Sequence, residues 1–114
     1  MEAPCELKYF GRMNDPTCSA HIKGPCGDEM EFYLLIRNGM VADVKFYTRG
    51  CLATQLCGSV GADMALGRTI QGVLKISPGD VIEKIEGIPQ DHLHCSILAV
   101  STLHKAIAYF FLEP

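Results

Sequence analysis

Three cysteines of this chain lie where its pattern predicts that a helix or strand begins or ends. Cys26 is on a loop rich in glycine and proline, with Asp28 two residues further on. Cys51 follows the second predicted strand, and Cys95 follows His94 at the start of the last predicted helix. A thiol at a helix N-terminus faces free backbone N–H groups, which favour the thiolate, the form that binds metal or attacks sulfur. The three positions therefore predict metal or sulfur chemistry, although their spacing matches no compact zinc motif.

A predicted β-hairpin brings two of these cysteines together. Asn38-Gly39 separates two runs of β-forming residues, and this dipeptide is the strongest short signal for a two-residue turn. We expect strands over residues 29–37 and 40–48. Because a hairpin returns the chain to the edge from which it started, Cys26 and Cys51 should be close in space.

The length of the turn also predicts the register of the hairpin. With a two-residue loop, Leu35 pairs with Ala42 and Tyr33 pairs with Val44, on the face that also carries Phe46. The opposite face carries more polar residues. One face is therefore expected in the core and the other in partial contact with water.

Four helices are predicted after the hairpin, which favours an α+β fold, with a small antiparallel sheet packed against C-terminal helices. Apolar residues recur every four positions over residues 52–66, and Thr69 can cap a short helix over residues 70–75. Ser77 is the expected N-cap of a third helix, and the last helix is expected over residues 96–111. The residues of the last helix expected to face the core are Ile97, Val100, Leu103, Ile107 and Phe110.

The composition indicates one soluble domain. The chain has 114 residues, of which 48% are hydrophobic, and a net charge of -3, so it lacks the basic surface that nucleic acid or an anionic membrane requires. It has no signal-peptide pattern, and its longest apolar run, residues 106–112, is too short to cross a bilayer. We expect a cytoplasmic protein whose cysteines serve metal or thiol chemistry rather than disulfides. Residues 1–22 predict an irregular or mobile N-terminal arm, and residues 23–114 a single domain.

Several separated stretches resemble, in order and spacing, the NifU/IscU-type iron–sulfur cluster assembly scaffold. They are GPCGDEM, the hairpin, FYTRGCLATQLCGS, the Gly67-Arg68-Thr69 break and IPQDHLHCSILA. The resemblance covers residues 13–112, nearly the whole chain, and rests on three cysteine motifs in register. It implies the same kind of fold as the pattern, a small α+β domain with an antiparallel sheet packed against helices.

The resemblance also implies a ligand set. In this family the matching residues form the cluster site, which here would be Cys26, Asp28, Cys51 and Cys95, with His94 as an alternate ligand. Three thiolates and a weaker carboxylate leave one coordination position exchangeable, as a protein that gives its cluster away requires. Zinc can occupy the same cysteine-rich site.

The function implied by the resemblance is that of a carrier and not an enzyme. Such a scaffold takes sulfur from a cysteine desulfurase and iron from a donor, assembles a [2Fe-2S] cluster and transfers it to apoproteins. Many bacterial members carry Leu-Pro-Pro-Val-Lys before the His-Cys pair, a segment read by a dedicated Hsp70-type chaperone. The segment here is Ile88-Pro89-Gln90-Asp91-His92, and the missing second proline and lysine argue against that partner. His92 replaces the lysine and adds a titratable neighbour to the site.

Two other functions fit part of the pattern. A sulfur acceptor resembling the SufE-type activators needs one exposed thiol, so a constellation of three cysteines counts against it. A structural zinc domain would use the same thiols to support protein contacts. At single positions the alternatives are a turn residue for Asp28, a structural histidine for His94 and unrelated buried thiols for the three cysteines.

The other cysteines and histidines have plainer interpretations. Cys57 lies on the apolar stripe of the first predicted helix and is expected in the core. Cys5 and Cys18 lie in the predicted arm and are accessory or incidental. His21 and His104 are expected on the surface or on a helix face.

Overall fold

A three-stranded antiparallel sheet in the order β1-β2-β3 organises the computed structural model, which describes residues 8–25, 27–85 and 90–112. The strands are β1 (Cys18–Lys23), β2 (Glu29–Arg37) and β3 (Met40–Tyr47). The helices are α1 (Leu52–Ala65), α2 (Ile70–Leu74), α3 (Pro78–Lys84) and α4 (His94–Leu112), with a 3₁₀ turn over Gln90–His92. The α+β class, the hairpin and all four helices are as the sequence predicts.

The hairpin turns where predicted, but its register differs from the prediction. Asn38 and Gly39 have φ values of 55° and 72°, the positive values that a two-residue turn needs. A bulge between Leu35 and Ile36 then shifts the pairing, so that Leu34 faces Val44 and Leu35 faces Asp43. The extra residue reverses which β2 side chains face the core, because strand side chains alternate between faces. The predicted pairs of Leu35 with Ala42 and Tyr33 with Val44 are therefore wrong.

The segment before Lys23 is more ordered than the sequence predicts. Residues 18–23 form β1, which pairs antiparallel with β2 along its whole length. Further upstream, the Phe46 N–H donates to the Tyr9 carbonyl and the Gly11 N–H donates to the Phe46 carbonyl, at 2.9 and 2.8 Å. The expected irregular structure is thus wrong over residues 18–22. The short β1 shows no clear periodicity of its own and is stabilised by pairing with β2. Residues 1–7 lie outside the described residues, and the division into arm and domain stays a prediction.

The ends of the helices follow local signals. The Thr69 hydroxyl accepts a hydrogen bond from the Gly72 N–H, and Ser77 and Asp80 form a reciprocal capping box at the start of α3. α4 begins at His94, two residues earlier than expected, because the 3₁₀ turn leads directly into it. Ile97 was expected in the core but is 56% exposed.

The helices cover one face of the sheet. α4 packs against β1 and β2, α1 packs against β3, and the two helices contact each other. The backbone of α1 approaches the ring of Phe46 on β3 at Gly58. A Cβ at this position would lie 2.5 Å from the ring. The core between the layers contains Phe32, Leu34, Val44, Cys57, Leu103 and Ile107, all fully buried.

One helix of the described part, α4, is long and apolar enough to cross a bilayer by length and composition alone. Half of that stretch is buried inside the domain. This is the pattern of a core helix, since a helix that packs against a sheet must be apolar on the covered side.

Candidate metal centre

A pinned loop between β3 and α1 sets the position of Cys51. The buried Thr48 hydroxyl accepts a hydrogen bond from the Gly50 N–H at 2.9 Å and donates to the Glu29 carbonyl at 2.5 Å. The Gln55 side chain donates to the Gly50 carbonyl at 3.1 Å. Cys51 is the N-cap residue of α1 and is exposed, with no capping hydrogen bond from its side chain. Its sulfur is therefore presented to solvent at a helix N-terminus.

The start of α4 brings a second sulfur to the same place. Cys95 is the second residue of α4 and is completely buried. The Ser96 hydroxyl donates to the Leu93 carbonyl at 2.6 Å and closes the first turn of the helix. Just upstream, the 3₁₀ turn carries His92, whose Nδ1 lies 3.8 Å from the Cys51 Sγ. Cys51 Sγ, a His92 ring nitrogen and Cys95 Sγ all lie within 4.8 Å of one another.

Thr54 joins these groups to Asp28. Its hydroxyl donates to the Asp28 Oδ2 at 2.6 Å and lies 3.2 Å from the Cys95 Sγ and 3.5 Å from the Cys51 Sγ. Thr54 is three residues after Cys51 in α1, which places both side chains on one helix face. It is completely buried, so this hydroxyl depends on protein partners alone.

Close approach of Asp28 requires glycine at position 50. A Cβ on Gly50 would lie 2.8 Å from the Asp28 Oδ2 and 2.9 Å from the Thr54 Cβ, closer than real Cβ contacts. The Asp28 loop is closed by a hydrogen bond of 2.7 Å from the Gly24 N–H to the Asp28 carbonyl. Cys26, predicted as a ligand from this loop, lies outside the described residues.

Burial dominates the electrostatics of the inner thiols. It raises the pKa of the Cys95 thiol, while the hydrogen bond with Thr54 opposes that shift. Desolvation is the largest influence on this pKa, so it works against the thiolate that the helix N-terminus is expected to favour. Burial also raises the pKa of Cys57 to about 12. A metal ion at Cys95 must displace a proton.

The predicted site residues that the structure describes converge at this point. Cys51 and Cys95 are in the three-atom group, Asp28 reaches both through Thr54, and the His94 Nε2 lies 3.8 Å from the Cys95 Sγ. Sequence reasoning missed Thr54 altogether and treated His92 only as a titratable neighbour. The sequence carried part of a signal for Thr54, which follows Cys51 by three residues at the start of α1, but it did not identify the partners of that hydroxyl. His92 lies on the 3₁₀ turn before α4, so its spacing from Cys95 is not a helical one.

The remaining cysteines behave as structural residues where they are described. Cys57 is completely buried, which confirms its predicted place in the core. Cys18 starts β1 and is also buried, and burial raises its pKa to about 11. His21 is exposed, with its Nε2 2.6 Å from a Glu29 carboxylate oxygen. Cys5 lies outside the described residues.

The donor set selects soft and borderline metals. Thiolate sulfur and imidazole nitrogen are ligands that suit zinc and iron–sulfur clusters, whereas a carboxylate oxygen is a harder and weaker ligand for these. Cys51, His92 and Cys95 would therefore offer two thiolates and an imidazole to such a metal, and the Asp28 carboxylate is connected to them through Thr54.

The chain matches a known protein family over nearly its whole length. The model of the NifU-like N-terminal domain matches residues 8–113. The iron-sulfur cluster assembly scaffold proteins IscU 1 and IscU 2 of Archaeoglobus fulgidus are each 36% identical over 105 residues, which cover 91% of this chain and 69% of theirs. The scaffold protein IscU of Aquifex aeolicus is 33% identical over 90 residues, 77% of this chain and 57% of its own length. The chain belongs to the NifU-like N-terminal domain family.

Solved structures share the fold. The N-terminal part of a NifU-like protein from Brucella abortus superposes with a TM-score of 0.73 at 17% identity, over 96% of this chain and 89% of that one. FiSufU of Fervidobacterium islandicum AW-1 superposes with a TM-score of 0.74 at 23% identity, over 90% and 89% of the two chains. The predicted sheet packed against helices is confirmed.

Proposed function

We propose that this chain is a scaffold on which an iron–sulfur cluster is assembled before its transfer to apoproteins. The observation that carries the proposal is the convergence of Cys51, Cys95 and Asp28 around the Thr54 hydroxyl, from three separate segments of the chain. Membership of the NifU-like family and similarity to proteins named as cluster assembly scaffolds support the same function. On this function the protein is a carrier and not an enzyme.

The proposed ligands are Cys26, Cys51 and Cys95, completed by Asp28 or His94. Cys51 is exposed and Cys95 is buried below it, so iron would enter from the Cys51 side. Asp28 is half-buried and lines an open pocket of about 340 Å³ beside Gly50. An incoming ligand in that pocket could replace the carboxylate without passing through the core.

Thr54 gives the carboxylate two states. Its hydroxyl has one proton, and of the acceptors within hydrogen-bond distance the Asp28 Oδ2 at 2.6 Å is the nearest. When Cys95 loses its proton to bind iron, its sulfur becomes a charged acceptor 3.2 Å from the same hydroxyl. Because one proton cannot serve both acceptors, a turn of the hydroxyl toward sulfur would release Asp28 to bind metal or to leave it.

The cargo on this proposal is a [2Fe-2S] cluster, and Zn²⁺ is a second metal for the same site. The partners are a cysteine desulfurase, an iron donor and recipient apo-proteins in the cytoplasm. The Hsp70-type chaperone remains outside the proposal, because residues 88–92 lack the proline and lysine pattern that it reads in related sequences.

Anaerobic reconstitution tests the proposal. The reduced protein is incubated with ferrous iron, cysteine and a cysteine desulfurase, and absorbance, iron and acid-labile sulfide are measured. A scaffold develops visible cluster bands, with iron and sulfide in equal amounts, and Cys51→Ser loses most of both. Mass-spectrometric detection of a persulfide without iron would replace this function with that of a sulfur acceptor. Tightly held zinc that excludes iron at every ratio would replace it with a structural zinc domain.

A further inference from the structure

His92 occupies a position that the predicted ligand set does not explain. The family resemblance assigns Cys26, Asp28, Cys51, Cys95 and, alternatively, His94, and it has a lysine where this chain has His92. Lysine is a cation with no lone pair for metal when protonated, whereas neutral imidazole is a common ligand. The change therefore adds a donor to the centre rather than only a charge.

The position of the His92 ring fits direct ligation. A tetrahedral zinc site with Zn–S of about 2.3 Å and Zn–N of about 2.0 Å places sulfur and nitrogen roughly 3.6 Å apart. The Nδ1 of His92 lies 3.8 Å from the Cys51 Sγ, and a His92 ring nitrogen and the two sulfurs all lie within 4.8 Å of one another. A movement of about one ångström closes the group around one ion.

The two histidines of the segment differ in what they approach. His94 Nε2 lies 3.8 Å from the Cys95 Sγ. Among the residues that the structure describes, however, the group of three donor atoms that are close to one another contains His92 and not His94. His92 is on the 3₁₀ turn before α4 and is half-buried. One of its ring nitrogens lies close to both sulfurs.

We propose that His92 is a metal ligand through Nδ1 and forms, with Cys51 and Cys95, a site for a single divalent ion of the zinc type. The proposal deepens the proposed function, because the two sulfurs are shared with the cluster site. The fourth position stays open to Asp28, to water or to an incoming ligand, as in zinc sites that have three protein ligands. An ion held in this way occupies two of the cluster thiolates, so it must leave before a cluster is assembled.

The ligand role of His92 can be tested by measuring zinc affinity, which does not require assembly of a cluster. The anaerobic, reduced chain is titrated with Zn²⁺ against a chromophoric chelator, in the parent and in His92→Ala. We expect His92→Ala to bind zinc at least about 10-fold more weakly, since even groups that only orient a ligand cost 10- to 100-fold. X-ray absorption of the parent should show a Zn–N shell at about 2.0 Å beside the sulfur shell, reduced in His92→Ala.

Two further histidine variants control for charge and position. His21→Ala removes an exposed histidine that pairs only with a surface carboxylate, and it should bind zinc as the parent does. His94→Ala is expected to lose less affinity than His92→Ala. Parent-like zinc affinity in His92→Ala, or a larger loss in His94→Ala, would overturn the assignment.

The outcome is separable from that of the proposed function. If His92→Ala binds zinc like the parent while the parent assembles a cluster, the ligand role of His92 fails and the scaffold function stands. If His92→Ala loses zinc while the parent assembles no cluster, the ligand role stands and the scaffold function fails. Circular dichroism of the metal-free variants confirms that each is folded before titration.

Discussion

Cys57 and Cys95 are both completely buried, yet they lie in regions of different character. Cys57 faces the sheet from the middle of α1, and burial is the main reason that its pKa rises to about 12. Cys95 lies at the end of the domain, next to the Thr54 hydroxyl and an imidazole of His94. Exposure alone therefore does not separate the proposed ligand thiol, Cys95, from the core thiol, Cys57. Polar neighbours do, because they can stabilise the sulfur once it has lost its proton.

The two regions also differ in how tightly their shape is determined. Around Cys57 the packing is close enough that α1 needs glycine where it crosses Phe46. At the metal centre the polar groups come from the Asp28 loop, the start of α1, and the 3₁₀ turn with the start of α4, and the contacts to the two sulfurs are 3.2 to 3.8 Å long. The shape of this region is therefore set by loop and helix ends and their hydrogen bonds rather than by close packing against the sheet.

The largest expected difference is between alanine substitutions at the two buried thiols. Cys95→Ala removes a proposed ligand, so the iron and sulfide content should fall. The apparent affinity for iron should decrease by more than about 100-fold, which exceeds the effect of losing a group that only orients a ligand. Cys57→Ala should keep the metal content of the parent and lose roughly 1–2 kcal/mol of stability from the small cavity. Metal content is measured after anaerobic reconstitution, and stability by urea unfolding. Equal metal loss in both variants would show that the two thiols are not distinct.

A second pair of variants tests the packing of the core. Gly58→Ala would place a methyl group 2.5 Å from the Phe46 ring, which is fully buried and cannot withdraw. We expect a loss of about 1–3 kcal/mol in the free energy of unfolding from overpacking. Gly61→Ala meets the Phe32 ring at an ordinary 3.5 Å and should be neutral or gain up to about 1 kcal/mol from helix propensity. Urea unfolding measures the free energy of unfolding of both variants. A Gly58→Ala protein as stable as Gly61→Ala would contradict the close contact between α1 and Phe46.

Local signals made most of the fold predictable. The Asn38-Gly39 turn, the Ser77 N-cap and the four-residue period of α1 each depend on neighbouring residues, and each is confirmed. The register shift between Leu35 and Ile36 and the pairing of β1 with β2 were not predictable, because each depends on how a strand packs against its partner and not on the pattern of the strand itself. Both errors therefore concern contacts between segments and not the segments themselves.

The candidate site was predictable in its residue types but not in its connections. The motif register pointed to Cys51, Cys95 and Asp28, whose convergence is found in the structure. The role of Thr54 depends on a buried hydroxyl between two loops, which no sequence period reveals. The approach of His92 to Cys51 likewise depends on the 3₁₀ turn that carries it.

The raised pKa of Cys57 predicts that the stability of the protein depends on pH. Its pKa rises from 9.0 to about 12 on folding, so above pH 9 the unfolded chain loses this proton while the folded chain keeps it. The stabilisation is fully present below pH 9 and is lost as the pH rises toward 12, by about 1 kcal/mol at pH 10. Urea unfolding at pH 8 and pH 10, under reducing conditions, should show a smaller decrease in Cys57→Ala than in the parent. Identical decreases would show that Cys57 is not desolvated.

The smallest expected effect is that of the Asp28 carboxylate on cluster transfer. A carboxylate binds the iron of a sulfide cluster less strongly than thiolate does and exchanges more readily. Asp28→Ala should therefore still assemble a cluster on the three thiolates, with His94 or an external ligand in the vacant position. Transfer to an apo-ferredoxin should slow by roughly fivefold, the effect of about 1 kcal/mol on a barrier, because the carboxylate no longer opens the site.

The control for this last variant is the neighbouring carboxylate. Glu29 is the first residue of β2, is exposed and contacts His21 through its side chain, so Glu29→Ala removes a charge next to Asp28 without touching Thr54. The rates are compared at equal initial cluster content, and Glu29→Ala should transfer as fast as the parent. If Asp28→Ala also transfers at the parent's rate, the hydrogen bond of 2.6 Å from Thr54 to Asp28 serves only to hold the loop. A slow rate in both variants would instead assign the effect to the charge of the loop, through its attraction for the recipient protein.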